Sequence, residues 1–295
     1  MNNTTFDPSE IGTLPHVPVR VRGFSLVEMA LVLLIVGLLA SVFLPATNAM
    51  LDNNRRKETR AKLEALEQAL LRFVIVNRRL PCPANGALAA GNVEQGLEQP
   101  HPGTAVCTTA ALTNGVLPWR TLGLSQDDVT DAWNTMVSYR VWAGAAVVAS
   151  SLTRPDGMSM TGLDPATETP QIQAFLQASG FRICSANPCA PGAAAELSSS
   201  TGMTGAAYVL ISHGANRVGG FSTGGVYLGA ANGPGPGPLE NINFNAAPPR
   251  TATPTDFYID TSYAENPAAY FDDIVLRPTV MSVVQGASLG PRQTP

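Results

Sequence analysis

The sequence predicts an α+β protein. One long N-terminal helix, with a membrane-spanning half and then an amphipathic half, packs on a mostly antiparallel β head with long loops. Three observations lead there. Residues 24–44, FSLVEMALVLLIVGLLASVFL, form an almost wholly apolar run. Leu63, Leu66, Leu70 and Phe73 then recur at i, i+3, i+7 and i+10, which is one helical face. After Pro83 come short strand-like runs divided by loops rich in Gly and Pro, of which the chain has 27 and 24. A helix followed by a series of strands is the α+β order.

The apolar run holds about 21 residues, or ~31 Å of helix at ~1.5 Å per residue, which is near the thickness of a hydrocarbon core. It is expected to span a membrane. The stretch before it is too long, polar and Pro-broken for an ordinary secretory signal, and no A-x-A site follows. Arg20 and Arg22 precede the run; Arg55, Arg56, Lys57 and Arg60 follow it. Counting these charges alone puts the C-terminal side in the cytoplasm. Glu28 is the anomaly, because an isolated acid inside a bilayer costs roughly 2.5–3.5 kcal/mol. A new α-amino group at Phe24 would lie one helical turn away and be cationic near neutral pH. Pro45 removes one helical hydrogen bond, so a kink or local melting is expected there. Beyond it the amphipathic half runs to residue 80, with Glu58 and Lys62 paired at i, i+4, and Pro81 and Pro83 stop it. The Arg55–Arg60 cluster is either a solvated face or a contact for acidic neighbours.

The head is expected to begin with a loop to about Gly115. Val137, Tyr139 and Val141 alternate with Ser138 and Arg140, so a strand is expected from Met136 to Val148. Thr169–Ser179 reads as a short helix ended by Gly180. FRICS, AAYVLISHG, GGFSTGGVYLG, FYID and AAYFDDIVLRP read as strands, and Met281–Gly290 as a short helix or strand. Ala231–Thr255, with its GPGPGP, reads as a loop without regular structure.

Composition narrows the function. Charged residues are 14 % and net charge is −4, which argues against a nucleic-acid partner. None of Cys82, Cys107, Cys184 and Cys189 forms a C-x-x-C pair, and the histidines do not complete a zinc spacing. Two disulfides fit an exported chain. Cys184 with Cys189 would close a small loop and Cys82 with Cys107 a longer one, although four cysteines allow three pairings. Ser212 and His213 are neighbours, so a strand would turn them to opposite faces, the wrong arrangement for nucleophile and base. GPGPGP lacks the Lys and helix of a phosphate loop. Asp256, Asp260, Glu265, Asp272 and Asp273 are hard ligands that calcium could use, with Asp260, Asp272 and Asp273 foremost. No D-x-D-x-D-G ladder accompanies them, so no metal, no cofactor and no catalytic residue is assigned.

Gly23, Phe24 and Glu28, followed by Gly37 and Pro45 in one apolar run, resemble the N-terminal signature of type IV pilins and type II secretion pseudopilins. D-A-W-N at Asp131–Asn134 resembles an element of pseudopilin heads, with Asn134 where Gly is usual; both tolerate a left-handed turn. LPCPA, LPWRTLGL and SHGANRVGG resemble a group of large pilin-like proteins. The resemblance implies a leader, 1–23, removed by a prepilin peptidase after Gly23, and N-methylation of Phe24. It implies an assembly helix over 24–44 in which Glu28, Gly37 and Pro45 take part, the amphipathic half over 45–80, and a head over 81–295. Glu28 would pair with the Phe24 amine of an adjacent subunit, and buried polar groups are best attested as devices of register. The implied partners are other pilin or pseudopilin subunits, an inner-membrane assembly platform and the bacterial inner membrane. The implied location is that membrane, crossed once with the head in the periplasm, then the pilus or pseudopilus. The protein is expected to be a structural subunit and no enzyme; the large head favours a minor or tip position. The alternative is a tip adhesin or substrate-binding module on the same anchor, with Trp119, Trp142 and Tyr227 as stacking residues.

Overall fold

The computed structural model describes residues 23, 25–99, 107, 114–143, 151–164, 167–229, 237–243, 257–266 and 269–291; for 42–49 it describes the helical backbone alone. Helix α1 (Leu26–Asn77) comes first. Strands β1 (Asn114–Val116), β2 (Thr135–Met136) and β3 (Ser138–Val141) follow, then helix α2 (Thr169–Gln177). After them come β4 (Arg182–Cys184), β5 (Glu196–Ser198), β6 (Tyr208–Ser212) and β7 (Phe221–Ser222). Helix α3 (Glu240–Asn243), β8 (Phe257–Ile259), β9 (Ile274–Leu276) and helix α4 (Val280–Gly286) complete the order. A 3₁₀ turn, Asp127–Val129, precedes β2.

The chain divides into two compact units, Met1–Leu51 and Asp52–Pro295. In the first unit, the described part of α1 exposes every side chain. One expectation is overturned here. Among the described residues no helix is long and apolar enough to cross a membrane. The apolar stretch with described side chains ends at Ser41, and from Asp52 onward the helix carries Arg55, Arg56, Lys57, Glu58 and Arg60. The expected membrane-spanning half of the helix is therefore not borne out. The helical backbone continues through Pro45, so the expected local melting does not occur. The helix ends four residues before Pro81, at Asn77. Arg78 takes a left-handed φ of 53°, and its N–H still donates to the Val74 carbonyl (2.7 Å), as in a helix-ending αL cap.

In the second unit, α1 buries Leu63, Leu66, Leu70 and Val74. The sequence places Phe73 on that face. Val74 takes the position instead, because the eleven residues from Leu63 just complete three turns whereas ten fall short. Phe73 is half-buried, with the Arg79 guanidinium over its ring. Each fully buried aliphatic side chain contributes roughly 1.5–3 kcal/mol.

The helix stripe covers an antiparallel sheet of order β1-β3-β6-β9. Tyr139, Tyr208 and Leu210 face the cluster that holds the α1 stripe and Val280, Val283 and Val284 of α4. Val209 and Ile211 face the other side, against Phe181, Ile183 and Tyr258. Both faces of the sheet are thus covered. The polar residues of the β3 alternation are interior too: Ser138 and Arg140 are as buried as Tyr139, both at 0 % exposure. Period-two alternation there marks two interiors rather than inside and outside.

A second sheet has the order β5-β4-β8, with β4 and β8 parallel, and a two-stranded ladder joins β2 to β7. Helix α3 corrects the expectation of no regular structure over 231–255, although most of that stretch lies outside the described residues. Two disulfides are formed, Cys82–Cys107 and Cys184–Cys189, and no described cysteine is free.

Candidate functional site

Two places concentrate chemistry: the start of α1 and a buried polar cluster in the second unit. At the start of α1, Gly23 is exposed, with nothing within 4 Å of the position a Cβ would take. Ser25 precedes the first helical residue. Its hydroxyl oxygen accepts from the Glu28 N–H at 3.2 Å, while Glu28 Oε2 accepts from the Ser25 N–H at 3.4 Å. This is the reciprocal capping box of S-x-x-E, satisfying two donors that a helix start leaves open. Glu28 therefore has a partner within its own chain, and its charge sits at the favourable end of the helix dipole. Beyond it Leu26 and Val27 are 88 % and 78 % exposed, and Leu33, Leu34 and Leu38 are exposed as well. Gly37 adds a bare spot on this surface, with open space around it. Phe24 lies outside the described residues, as do Arg20, Arg22 and the Pro45 side chain.

The basic cluster after the apolar run is partly spent within the chain. Arg55 reaches Asp52 at 4.0 Å, and Arg56 stacks 3.5 Å over the Tyr263 ring. Arg60, Glu64, Asp260, Thr261 and Asp273 line a cavity of about 270 Å³. Of the aromatic residues considered for sugar stacking, Trp119 is buried, and Trp142 and Tyr227 are half-buried against Phe181 and Phe221.

The polar cluster begins at the D-A-W-N turn. Asp131 Oδ1 accepts from the N–H groups of Trp133 and Thr135, both at 2.9 Å, and Oδ2 accepts from the Ser212 hydroxyl. Asn134 takes the left-handed φ of 60°. Burial pushes the Asp131 carboxyl up, against the pull of those hydrogen bonds. Asp131→Ala leaves three buried donors without an acceptor, and an unsatisfied buried group costs about 1–3 kcal/mol. The expected loss is about 3 kcal/mol, read as a lower urea midpoint of the full-length chain.

Ser212 and His213 do diverge, as strand geometry requires. His213 Nε2 lies 2.9 Å from Ser138 Oγ, and Nδ1 faces Asp273 Oδ1 at 3.5 Å. The order serine, histidine, carboxylate is that of a nucleophilic relay. Yet Ser138 and His213 are fully buried, and the cavity that reaches Asp273 is lined by neither. Among the described residues this is a buried polar chain, with a hydrogen bond between Ser138 and His213 and a 3.5 Å approach of His213 to Asp273.

The acids near the end of the chain separate. Asp260 pairs with Arg277 at 2.6 Å, and Glu265 accepts from the Tyr263 hydroxyl. Asp256 lies outside the described residues. Asp272 and Asp273 meet Glu240 instead, the three offering oxygens within 4.8 Å of one another, all buried. Glu240 was not legible as a member, since it lies in the Gly/Pro-rich stretch and reaches its partners only across the fold. Glu240 Oε1 accepts from the Asp272 N–H at 2.7 Å, and Oε2 from Asn216 Nδ2 at 2.8 Å. Asp272 Oδ2 accepts from the Asn216 N–H at 3.0 Å and the Tyr270 hydroxyl at 2.9 Å. Asp273 Oδ2 accepts from Asn243 Nδ2 at 2.9 Å. Gly214, at φ 55°, brings the turn after β6 so close that a Cβ there would strike Asp272 at 2.5 Å.

No family model, no curated protein and no solved structure matches this chain.

Proposed function

We propose that the chain is a pilin-like structural subunit, minor or tip, of a type IV pilus or type II secretion pseudopilus. What supports the reading best is one arrangement: an accessible Gly23, then Phe24, then a capped acid, Glu28, heading a helix whose exposed surface is apolar. Apolar surface of that extent favours a covering, and copies of the same helix are the covering proposed here. A prepilin peptidase cuts after Gly23, Phe24 becomes the methylated N-terminus, and Glu28 pairs with that amine on the next subunit. Before assembly the subunit is held at the bacterial inner membrane, with its head in the periplasm and the assembly platform as partner. The disulfides fit that compartment. The large head, with its long loops, suits a minor or tip position.

Gly23→Leu tests the processing step. A bulky side chain at the cut site leaves unprocessed precursor when the chain is expressed with a prepilin peptidase, read as a larger species by mass spectrometry. Normal processing of this variant would count against the reading.

A further inference from the structure

Glu240 is 3 % exposed and sits among acids. Facing it are Asp272 and Tyr270 from the segment leading to β9, Asp273 at the entrance of β9, and Asn216 from the turn after β6. The basic group at this cluster, His213, faces Asp273. Among the described residues five hydrogen-bond donors serve the three carboxylates, and they are unevenly spread: Asp272 Oδ1 is buried and receives none of them. A buried carboxylate oxygen without a donor is costly, as are three mutually close buried anions. One proton relieves both.

We propose that Glu240 is a neutral acid sharing its proton with Asp272, and that this shared proton latches α3 onto the turn after β6 and the entrance of β9. The latch has structural reach. Asn243, one turn on from Glu240, accepts from the Ile259 N–H and donates to the Ile259 carbonyl, so α3 in turn pins β8 (both 2.8 Å). Burial first, and the neighbouring Asp273 and Asp272 next, push the Glu240 carboxyl up to about 9 from 4.5. A carboxyl raised in the folded state contributes stability that is complete below about 4.5 and is lost as pH rises toward about 9.

The test compares the full-length chain with Glu240→Gln by urea unfolding across that window. The Gln amide donates to Asp272 at every pH. The folding constant of the wild type is expected to fall about tenfold more per pH unit than that of the variant. Infrared spectra of chain labelled at glutamate are expected to show a protonated carboxyl at pH 7 that vanishes in Glu240→Gln. Equal pH slopes in the two proteins would overturn the proposal. So would the absence of a protonated carboxyl in the wild type, a measurement that stands even if the variant fails to fold. A melting temperature raised by calcium or magnesium in the wild type and lost in Glu240→Gln would overturn it too, by putting a cation where the proton is placed.

Discussion

Glu28→Ala is expected to be processed like the wild type and to drop at least about tenfold in sheared filaments. The substitution removes two things. One is the capping box with Ser25, and losing a cap costs typically ~1 kcal/mol. The other is the charge that the proposed assembly needs; stranding one member of a buried pair costs about 3–5 kcal/mol. Since 1.4 kcal/mol is a factor of ten, the second loss alone exceeds the tenfold mark. Glu28→Gln separates the two, because Gln keeps the box but carries no charge. It should cut sharply and assemble poorly, whereas Ser25→Ala, which removes the hydroxyl half of the cap, should assemble much better. Wild-type incorporation of Glu28→Gln would sink the charge-pairing role.

Glu98→Ala is expected to be the most destabilising single change in the head, by about 3–5 kcal/mol. Glu98 and Arg79 form a two-pronged ion pair at 2.7 and 2.9 Å, with side-chain exposures of 6 % and 10 %. Glu98 Oε2 also accepts from the Cys82 N–H at 3.0 Å, beside the Cys82–Cys107 disulfide. Removing the acid strands a buried guanidinium and a backbone donor together. The loss should appear in urea unfolding near pH 7 as a lower midpoint with an unchanged slope. Pairing it with Arg79→Met should restore part of the stability, because the stranded charge is then gone. A Glu98→Ala loss under 1 kcal/mol would show that water compensates the charge.

How much was legible follows from the range of the interactions. The stripe Leu63, Leu66 and Leu70, the helix Thr169–Gln177, and strands β4, β6, β8 and β9 all reflect local periodicity. The left-handed Asn134 reflects residue type. Both disulfides follow one of the three pairings open to four cysteines. What escaped depends on distant partners. Arg140 is polar in a strand, and only the layer on each side of β3 explains its burial. Helix α3 is four residues in a Gly/Pro-rich stretch, held by Asn216, Asp272 and Asp273 from elsewhere. Asp260 looked like a companion of Asp272, but Arg277 holds it apart.

By itself the sequence determined most of the buried stripe of the long helix, because 3.6-residue periodicity acts within a few residues. It also determined the placement of Gly23, Phe24 and Glu28 relative to one another, on which the assembly reading rests. Only the tertiary structure decided which carboxylates come together, that His213 bonds to Ser138 rather than serving Ser212, and that Arg79 finds Glu98. Burial removes water from those groups, and each must then find a partner wherever the fold delivers one.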